Sequence, residues 1–332
     1  MKKKFLWSFF LITIVMLTGC FNKGSSDIVG TVTKSLSNLK NYHISGELEI
    51  INNEDSYKYN VDVSYAKTDQ FRVSLKNQIN NHEQIILKNK DGVYVLTPSL
   101  NKSFKFQSEW PYNNSQSYIL QSILSDLKGT KDKNVKSTKD GFTITTKVTY
   151  SNNKKLTKQN IYVDKKGNIQ KVEVLDQDSK VKIKMTFKTI DFKATFEKNY
   201  FDLNQNMNVA GDETESTMES IDDIIYPMYL PENTYLSSQD KVNLKDGERI
   251  ILTFAGDSPF MIVEETVRAE DEFTTIPVYG DPDWLMDTIG SVTENTLTWI
   301  SNGIEYYAVS ETLDQSELLE VVQSISVMPV GK

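Results

Sequence analysis

The chain has 332 residues, of which 39% are hydrophobic, so it is not a disordered chain and is long enough for about two domains. One cysteine and two histidines exclude an intramolecular disulfide and a cysteine-rich zinc site, and leave too few ligands for a histidine metal cage. The net charge of −8 conceals two opposite parts, because residues 20–203 carry 29 Lys+Arg and 20 Asp+Glu whereas residues 204–332 carry 5 and 25, and such asymmetry indicates a partner.

The first 19 residues have the pattern of a signal peptide. Lys2, Lys3 and Lys4 give a positive start, and an apolar stretch at 5–17 follows. That stretch is shorter than the roughly 20 apolar residues of a membrane span. Residues 1–19 are therefore predicted to direct export.

The residues around the cysteine resemble the bacterial lipobox. Cys20 directly follows Leu17, Thr18 and Gly19, the position of the acylated cysteine in that motif. The resemblance implies cleavage before Cys20 and acyl chains that anchor the protein to the extracytoplasmic face of the cell membrane. The alternatives are an ordinary signal peptide with a chance cysteine, or an uncleaved anchor helix.

A short polar tether at 20–26 precedes the first predicted helix, at 27–39. Ile28, Val32 and Leu36 recur at helical spacing and form one apolar stripe. We expect this helix to pack its stripe on a sheet.

A long β region follows the helix. Apolar and polar residues alternate strictly at 57–65, which is typical of a strand with one buried face. Asp91 and Gly92 predict a hairpin turn. The predicted strands of this part are 42–51, 57–65, 71–75, 84–87, 93–97 and 103–106.

One helix interrupts the strands. Ile119, Ile123 and Leu127 lie at helical spacing within a predicted helix at 115–127. The β pattern then resumes, with predicted strands at 141–150, 159–163, 169–175 and 180–187.

An acidic, polar segment at 204–221 is predicted to be a linker to a second domain, residues 222–332. That domain is predicted to be a small acidic α+β unit, with a hairpin turn at Asn302 and Gly303. Its predicted elements are strands at 248–254, 260–265, 297–300 and 304–310, and a helix at 314–324.

Residues 27–203 resemble the LolA family of periplasmic lipoprotein carriers. The resemblance rests on the opening helix, on 65–73 (YAKTDQFRV), on the hairpin at 87–94 (LKNKDGVY) and on the closing segment 187–203. It implies a mainly β fold, an incomplete and highly curved antiparallel β-barrel covered by lid helices. In that family the space between sheet and lid holds acyl chains.

The resemblance also suggests particular residues. Lys67 aligns with the family's arginine that latches the lid, but lysine lacks the planar fork of arginine. A tethered protein also cannot shuttle cargo, so transport does not follow from the fold. The side chains expected to line a cavity, or to fill a core there, are Val61, Val63, Tyr65, Phe71, Val73, Leu75, Ile119, Ile123 and Leu127.

Residues 222–330 resemble a C-terminal domain of extracytoplasmic lipoproteins from spore-forming Gram-positive bacteria. The resemblance rests on 226–231 (YPMYLP), on 297–299 (LTW) and on 303–307 (GIEYY). The whole arrangement is similar to a sporulation lipoprotein of those bacteria, and the first domain is also similar to a germination lipoprotein.

Catalytic, metal and cofactor sites are not predicted. His43 and His82 are expected to be structural or exposed, and no glycine-rich phosphate loop is present. The carboxylate clusters at 264–265, 270–272 and 281–287 lack EF-hand spacing, so a solvated acidic face is favoured over a calcium site.

Three functions without catalysis remain open at this point, and an enzyme remains as a fourth and weakest option. The first is a non-enzymatic, membrane-anchored binding module for an apolar ligand or an envelope protein, with a cell-wall hydrolase as a candidate partner. The second is lipid or lipoprotein handling at the membrane surface, and the third is an envelope-stress regulator. No nucleic-acid partner is expected. The acidic domain is predicted either to dock on the basic one or to point toward a partner.

Overall fold

The first domain is built from strands whose apolar residues alternate with polar ones. The computed structural model describes residues 25–52, 55–208, 220–269 and 272–327. The signal peptide, the lipobox and Cys20 lie outside these residues. The elements of the first domain are α1 (Ser25–Ser37), β1 (Tyr42–Asn52), β2 (Asp55–Ala66), β3 (Gln70–Asn77), β4 (Glu83–Asn89), β5 (Gly92–Thr97), β6 (Lys102–Phe106), α2 (Leu120–Gly129), β7 (Asn134–Ser137), β8 (Gly141–Lys147), β9 (Leu156–Asp164), β10 (Ile169–Asp176), β11 (Val181–Asp191) and α3 (Leu203–Met207).

These strands form one open, curved sheet that is not closed into a barrel. Its order is β6-β5-β4-β3-β2-β1-β11-β10-β9-β8-β7, and each neighbouring pair is antiparallel. Beyond β6 the sheet gains a twelfth strand, β16 (Thr274–Val278), which comes from the second domain and runs parallel to β6. The predicted fold class, a mainly β, incomplete barrel with lid helices, is confirmed.

Helices α1 and α2 form the lid and cover the concave face of the sheet. Their apolar stripes, among them Ile28 and Val32 of α1 and Ile123 of α2, join the strands in one buried cluster. Helix α2 begins later than predicted because the backbone before it bonds elsewhere: the Ser115 N–H donates to the Thr149 carbonyl at 2.7 Å. Burial of these stripes keeps the helices on the sheet.

Strands β4 and β5 are buried on both faces. Ile86 and Val95 face the lid side, whereas Leu87 and Leu96 pack on the convex side against Phe201. Helix α3, whose Met207 joins this convex cluster, occupies the first residues of the segment predicted to be the linker, and 209–219 lie outside the described residues.

The second domain has its own sheet and core. Its elements are β12 (Ile225–Pro227), β13 (Thr234–Leu244), β14 (Gly247–Gly256), β15 (Phe260–Thr266), β16, β17 (Asp281–Leu285), β18 (Thr288–Val292), β19 (Thr296–Ser301), β20 (Ile304–Val309), α4 (Gln315–Gln323) and β21 (Ile325–Val327). Seven of the strands form a sheet in the order β13-β14-β15-β20-β19-β18-β17, and β12 pairs with β21. Asp314 and Glu317 form a capping box that begins α4.

The sequence pattern did not reveal six strands of this domain, namely the three-residue strands β12 and β21 and the longer strands β13, β16, β17 and β18. Pro277 and Pro282 interrupt β16 and β17, and proline weakens any strand prediction because it cannot donate to the ladder. Strand β18 was missed as well, and β13 is polar and exposed along nearly its whole length, so it lacks an apolar alternation.

Two glycines give a matched test of the packing. A Cβ at Gly46 in β1 would meet the Thr186 carbonyl oxygen and the Met185 side chain, whereas a Cβ at Gly30 on the exposed side of α1 would meet nothing within 4 Å. We expect Gly46→Ala to lower the free energy of unfolding by about 1–3 kcal/mol through overpacking. Gly30→Ala should raise it by about 0.5–1 kcal/mol. Urea unfolding measures both, and equal effects of the two changes would contradict this packing.

Candidate functional site

The residues predicted to line a cavity lie together in the core. All nine belong to or pack against one cluster between sheet and lid. Val63, Phe71 and Ile119 are fully buried there. None of the nine lines the two larger cavities described below. A smaller cavity of about 180 Å³ lies between the lid and the sheet, and its lining includes Leu36, Leu120 and Phe187.

The structure places Lys67 in an exposed turn after β2, where its backbone N–H donates to Asn41 Oδ1 at 3.2 Å. A polar contact between sheet and lid is made instead by Tyr42 of β1, whose hydroxyl donates to Gln121 Oε1 of α2 at 2.7 Å. Tyr42 is fully buried, and burial raises the pKa of its phenol. The neutral phenol can therefore hold the lid without the cost of a buried charge.

The hairpin of β17 and β18 docks on the concave side of the first domain. Ile289 of β18 belongs to the same buried cluster as the first domain's sheet and lid. Trp284 of β17 packs on Tyr59 of β2 with ring centroids 5.0 Å apart. The Tyr59 hydroxyl donates to the Asp287 carbonyl oxygen at 2.6 Å. The second domain therefore closes part of the half-barrel with its own side chains.

One buried amide fixes the hairpin in register. Gln84 Oε1 accepts from the Ile289 N–H at 2.7 Å and from the Thr288 hydroxyl at 2.8 Å. Gln84 Nε2 in turn donates to the Ile289 carbonyl oxygen at 3.2 Å. The amide thus bonds to β18 as a neighbouring strand would, inside an apolar surrounding where unmade hydrogen bonds are costly.

Two aspartates of the hairpin bond to the first domain. Asp283 accepts from Asn152 Nδ2 at 2.8 Å, and Asp281 accepts from the Ser108 hydroxyl at 2.6 Å. Burial raises the pKa of the Asp283 carboxyl. The expectation of a solvated acidic face is wrong for Asp283, because this carboxylate is a docking group.

The acidic domain docks on the basic one. Lys155 and Glu320 of α4 form an ion pair across the junction. Asn52 Nδ2 donates to the Gln323 carbonyl oxygen at 2.5 Å beside it. Apolar packing and the hydrogen bonds around the hairpin, including those to Asp281 and Asp283, supply the other contacts described above.

Two cavities flank the docked hairpin. One of about 470 Å³ lies between the first domain and α4 and has a mixed lining that includes Tyr150, Lys182 and Trp284. The other, of about 380 Å³, has a mainly apolar lining that includes Phe104 and Trp299. Both have the size of small-ligand pockets.

A carboxyl group is buried inside the second domain. Glu264 of β15 is fully buried, and its Oε1 accepts from the Ile225 N–H at 3.2 Å. Its Oε2 has no hydrogen-bond partner. Burial raises the pKa of this carboxyl to about 8, so the group is protonated at neutral pH. The expectation of a solvated acidic face is wrong for Glu264 too.

The histidines and the remaining acidic residues give no reactive constellation in the described ranges. His43 Nδ1 lies 3.1 Å from the Ser64 hydroxyl, and His43 Nε2 lies 3.4 Å from Asp62 Oδ1. Across residues 25–52, 55–208, 220–269 and 272–327, no three His, Cys, Asp or Glu side chains are placed to hold a metal ion. No helix within those same ranges is long and apolar enough to cross a membrane.

Sequence reasoning missed the groups that dock the domains. Gln84 sits at the start of a strand, where a polar residue indicates solvent. The hairpin has two acidic residues around Pro282 and no continuous apolar run. The one signal in the sequence was the run of four uncharged residues after Glu83, which is typical of a strand buried on both faces.

The open curved sheet, the lid helices and the docked second sheet define a mainly β protein. The chain belongs to the sporulation protein YdcC-like family, whose model matches residues 1–201. Sporulation protein YdcC of Bacillus subtilis (strain 168) is 31% identical over 318 residues, which cover 95% of this chain and 94% of the relative. The predicted resemblance to a sporulation protein of spore-forming bacteria is confirmed.

Solved structures with a similar fold include two partial matches. A chain in the structure of the CwlD amidase from Clostridioides difficile in complex with the GerS lipoprotein matches with 19% identity and a TM-score of 0.30, over 52% of this chain and 96% of the matched chain. The LolA superfamily protein NE2245 from Nitrosomonas europaea matches with 9% identity and a TM-score of 0.30, over 53% and 96%.

Removal of the Gln84 amide tests the docking. We expect Gln84→Ala to lower the free energy of unfolding by about 3 kcal/mol, because the Ile289 backbone groups lose their partners while buried. Gln78→Ala is the control, since Gln78 bonds to Glu47 and Asn60 at the surface and should cost less than about 0.5 kcal/mol. Urea unfolding measures both, and a Gln84→Ala effect as small as the control's would show that the amide does not hold the hairpin.

The pH dependence of stability tests the buried carboxyl. The folded-state pKa of Glu264 is about 8 and its usual value is 4.5, so the unfolded chain releases this proton at lower pH than the fold does. The free energy of unfolding should therefore fall as pH rises between these values. Glu264→Gln cannot ionise and should lose that slope, whereas the control Glu265→Gln should retain it. Melting temperatures at pH 5.5 and 8.5 measure this change of stability with pH. The same change in Glu264→Gln as in the wild type would refute the assignment of a protonated carboxyl to Glu264.

Proposed function

We propose that this protein is a lipid-anchored, extracytoplasmic scaffold that binds an envelope protein during sporulation and catalyses no reaction itself. The observation that carries the proposal is the docked hairpin: Trp284 and Ile289 occupy the concave side that an acyl chain would need. A carrier must leave that space open for cargo. A scaffold instead benefits from a rigid pair of domains, and the Gln84 contacts supply that rigidity.

The anchor is assigned to Cys20, with Leu17, Thr18 and Gly19 as the cleavage motif. The domain that follows Cys20 has an excess of basic residues, and an anionic membrane surface attracts such a domain. The acidic domain has the opposite sign and would be turned away from the membrane. These charges support a protein held on the extracytoplasmic face with its second domain directed outward.

The partner is proposed to be an envelope protein that acts in sporulation, in agreement with the role named for the Bacillus subtilis relative. A cell-wall hydrolase is the first candidate to test. The mainly apolar cavity of about 380 Å³ at the junction gives the alternative, in which the ligand is a small apolar molecule.

The anchor and the partner are tested in sporulating cells. We expect wild-type protein to fractionate with membranes and Cys20→Ser to fractionate away from them, because acylation needs the thiol. Crosslinking and purification of the wild-type protein should recover the same envelope protein in repeated preparations. Native mass spectrometry of that material tests the alternative, since bound lipid without a protein would favour it. Membrane association of Cys20→Ser would overturn the anchor, and recovery of no envelope protein would overturn the scaffold.

A further inference from the structure

The mainly apolar cavity of about 380 Å³ lies between walls from both domains. One wall is the concave face of the first sheet, where Val95 and Phe106 are buried. The opposite wall belongs to the second sheet and includes Ile300 of β19, which is also buried. Tyr279 lines the cavity although 73% of this residue is exposed, so it marks the mouth. The cavity therefore has an apolar body that opens to solvent on one side.

Polar side chains from three strands accompany this apolar lining. Thr97 of β5 lines the cavity, and its buried hydroxyl has no hydrogen-bond partner among the described residues. Lys102 of β6 lies directly opposite Thr97 in the sheet and is buried as well. It is on the same face of β6 as the lining residue Phe104, because residues two apart on a strand point to one side. Glu305 of β20, the cross-strand neighbour of Ile300, lines the cavity from the second domain.

The two charged groups are close but not joined. Burial raises the pKa of the Glu305 carboxyl, and the nearby charge of Lys102 lowers it by a smaller amount. Within the described ranges no ion pair links Lys102 to Glu305. The neighbouring Glu265 raises the same pKa slightly, and its carboxylate is paired with Arg249 at 2.5 Å. The charges around the cavity therefore balance, while one ammonium group and one carboxyl group there lack the close partner that a shielded charge needs.

This balance of charges selects the polar end of a ligand. A ligand carboxylate would pair with Lys102 but be repelled by Glu305, and a ligand ammonium group would have the reverse difficulty. A neutral amide suits both residues, because its C=O accepts a hydrogen bond from the ammonium group and its N–H donates one to the carboxylate. The rest of the ligand would be apolar, since the walls between the two sheets gain from burial against it.

We propose that this cavity binds a small molecule with an apolar body and one neutral amide end. Phe104 and Ile300 contact the apolar body, whereas Thr97, Lys102 and Glu305 hold the amide. A volume of about 380 Å³ is in the range of small-molecule sites. The inference goes beyond the proposed scaffold function, because the residues of the site all belong to one chain and need no partner protein.

Three probes that differ only in their polar end test the chemistry of the site. Phenylpropanamide is neutral, phenylpropanoate is an anion and phenylpropylamine is a cation at pH 7.5. Isothermal titration calorimetry measures their affinities for the full mature protein in detergent, with empty micelles as the blank. The variants are Glu305→Gln, which removes the negative charge at constant size, and Lys102→Met, which removes the positive one. Glu232→Gln is the matched control, because it removes the same charge from an exposed residue outside the cavity.

We expect wild type and Glu232→Gln to bind the amide at least fivefold more tightly than either charged probe. Glu305→Gln leaves Lys102 without an opposing charge, so it should bind phenylpropanoate at least tenfold more tightly than wild type does. Lys102→Met should gain at least tenfold for phenylpropylamine by the same reasoning. Equal binding of the three probes by wild type, no binding of the amide, or an unchanged order of affinities in Glu305→Gln would each overturn the inference.

Photolabelling of the wild type locates the site even if a variant fails to fold. A diazirine derivative of phenylpropanamide should label β6 and β19, which supply Phe104 and Ile300, and excess phenylpropanamide should prevent this labelling. Labelling of other segments alone would refute the cavity as the site. The scaffold proposal is tested separately by the crosslinking in sporulating cells. Capture of an envelope protein by a wild type that binds no amide would refute the ligand site and leave the scaffold standing.

Discussion

The arrangement of the two domains depends on one buried amide. Gln84 belongs to the first domain, yet its side chain satisfies the backbone N–H and C=O of Ile289 in the second. An amide in an apolar surrounding must make its hydrogen bonds or destabilise the fold. Because only one placement of β18 satisfies Gln84 on both its atoms, the amide selects the register of the docked hairpin. The tilted packing of Trp284 on Tyr59 then adds burial to a geometry that the hydrogen bonds define.

This docking changes what the half-barrel can do. The lid helices and the hairpin pack on the same side of the first sheet and share one buried cluster with it. A LolA-like sheet is thus compatible with a function other than carriage of lipid, as expected when function resides in sites and not in folds. The family relationship to a sporulation protein is in keeping with this reading of the fold.

The sequence predicted those helices and strands in which the spacing of apolar residues follows from one buried face. The strand at 57–65 alternates because one face is buried, and the helix around Ile123 repeats because one stripe is buried. It failed where a polar residue is buried for a partner distant in the chain. Gln84 and Asp283 look solvent-facing in any local window, since their partners lie 205 and 131 residues away. The prolines of β16 and β17 hid strands that sit at or near sheet edges, where proline is tolerated.

The contacts that dock the two domains make little use of the domains' opposite charges. The hairpin contacts are apolar or formally neutral apart from Asp281 and Asp283, and the Lys155–Glu320 pair lies to one side of them. A junction held mainly by packing does not need the excess positive charge of one domain or the excess negative charge of the other. Those charges are therefore available to attract or repel other molecules that come within the Debye length, about 8 Å at physiological ionic strength.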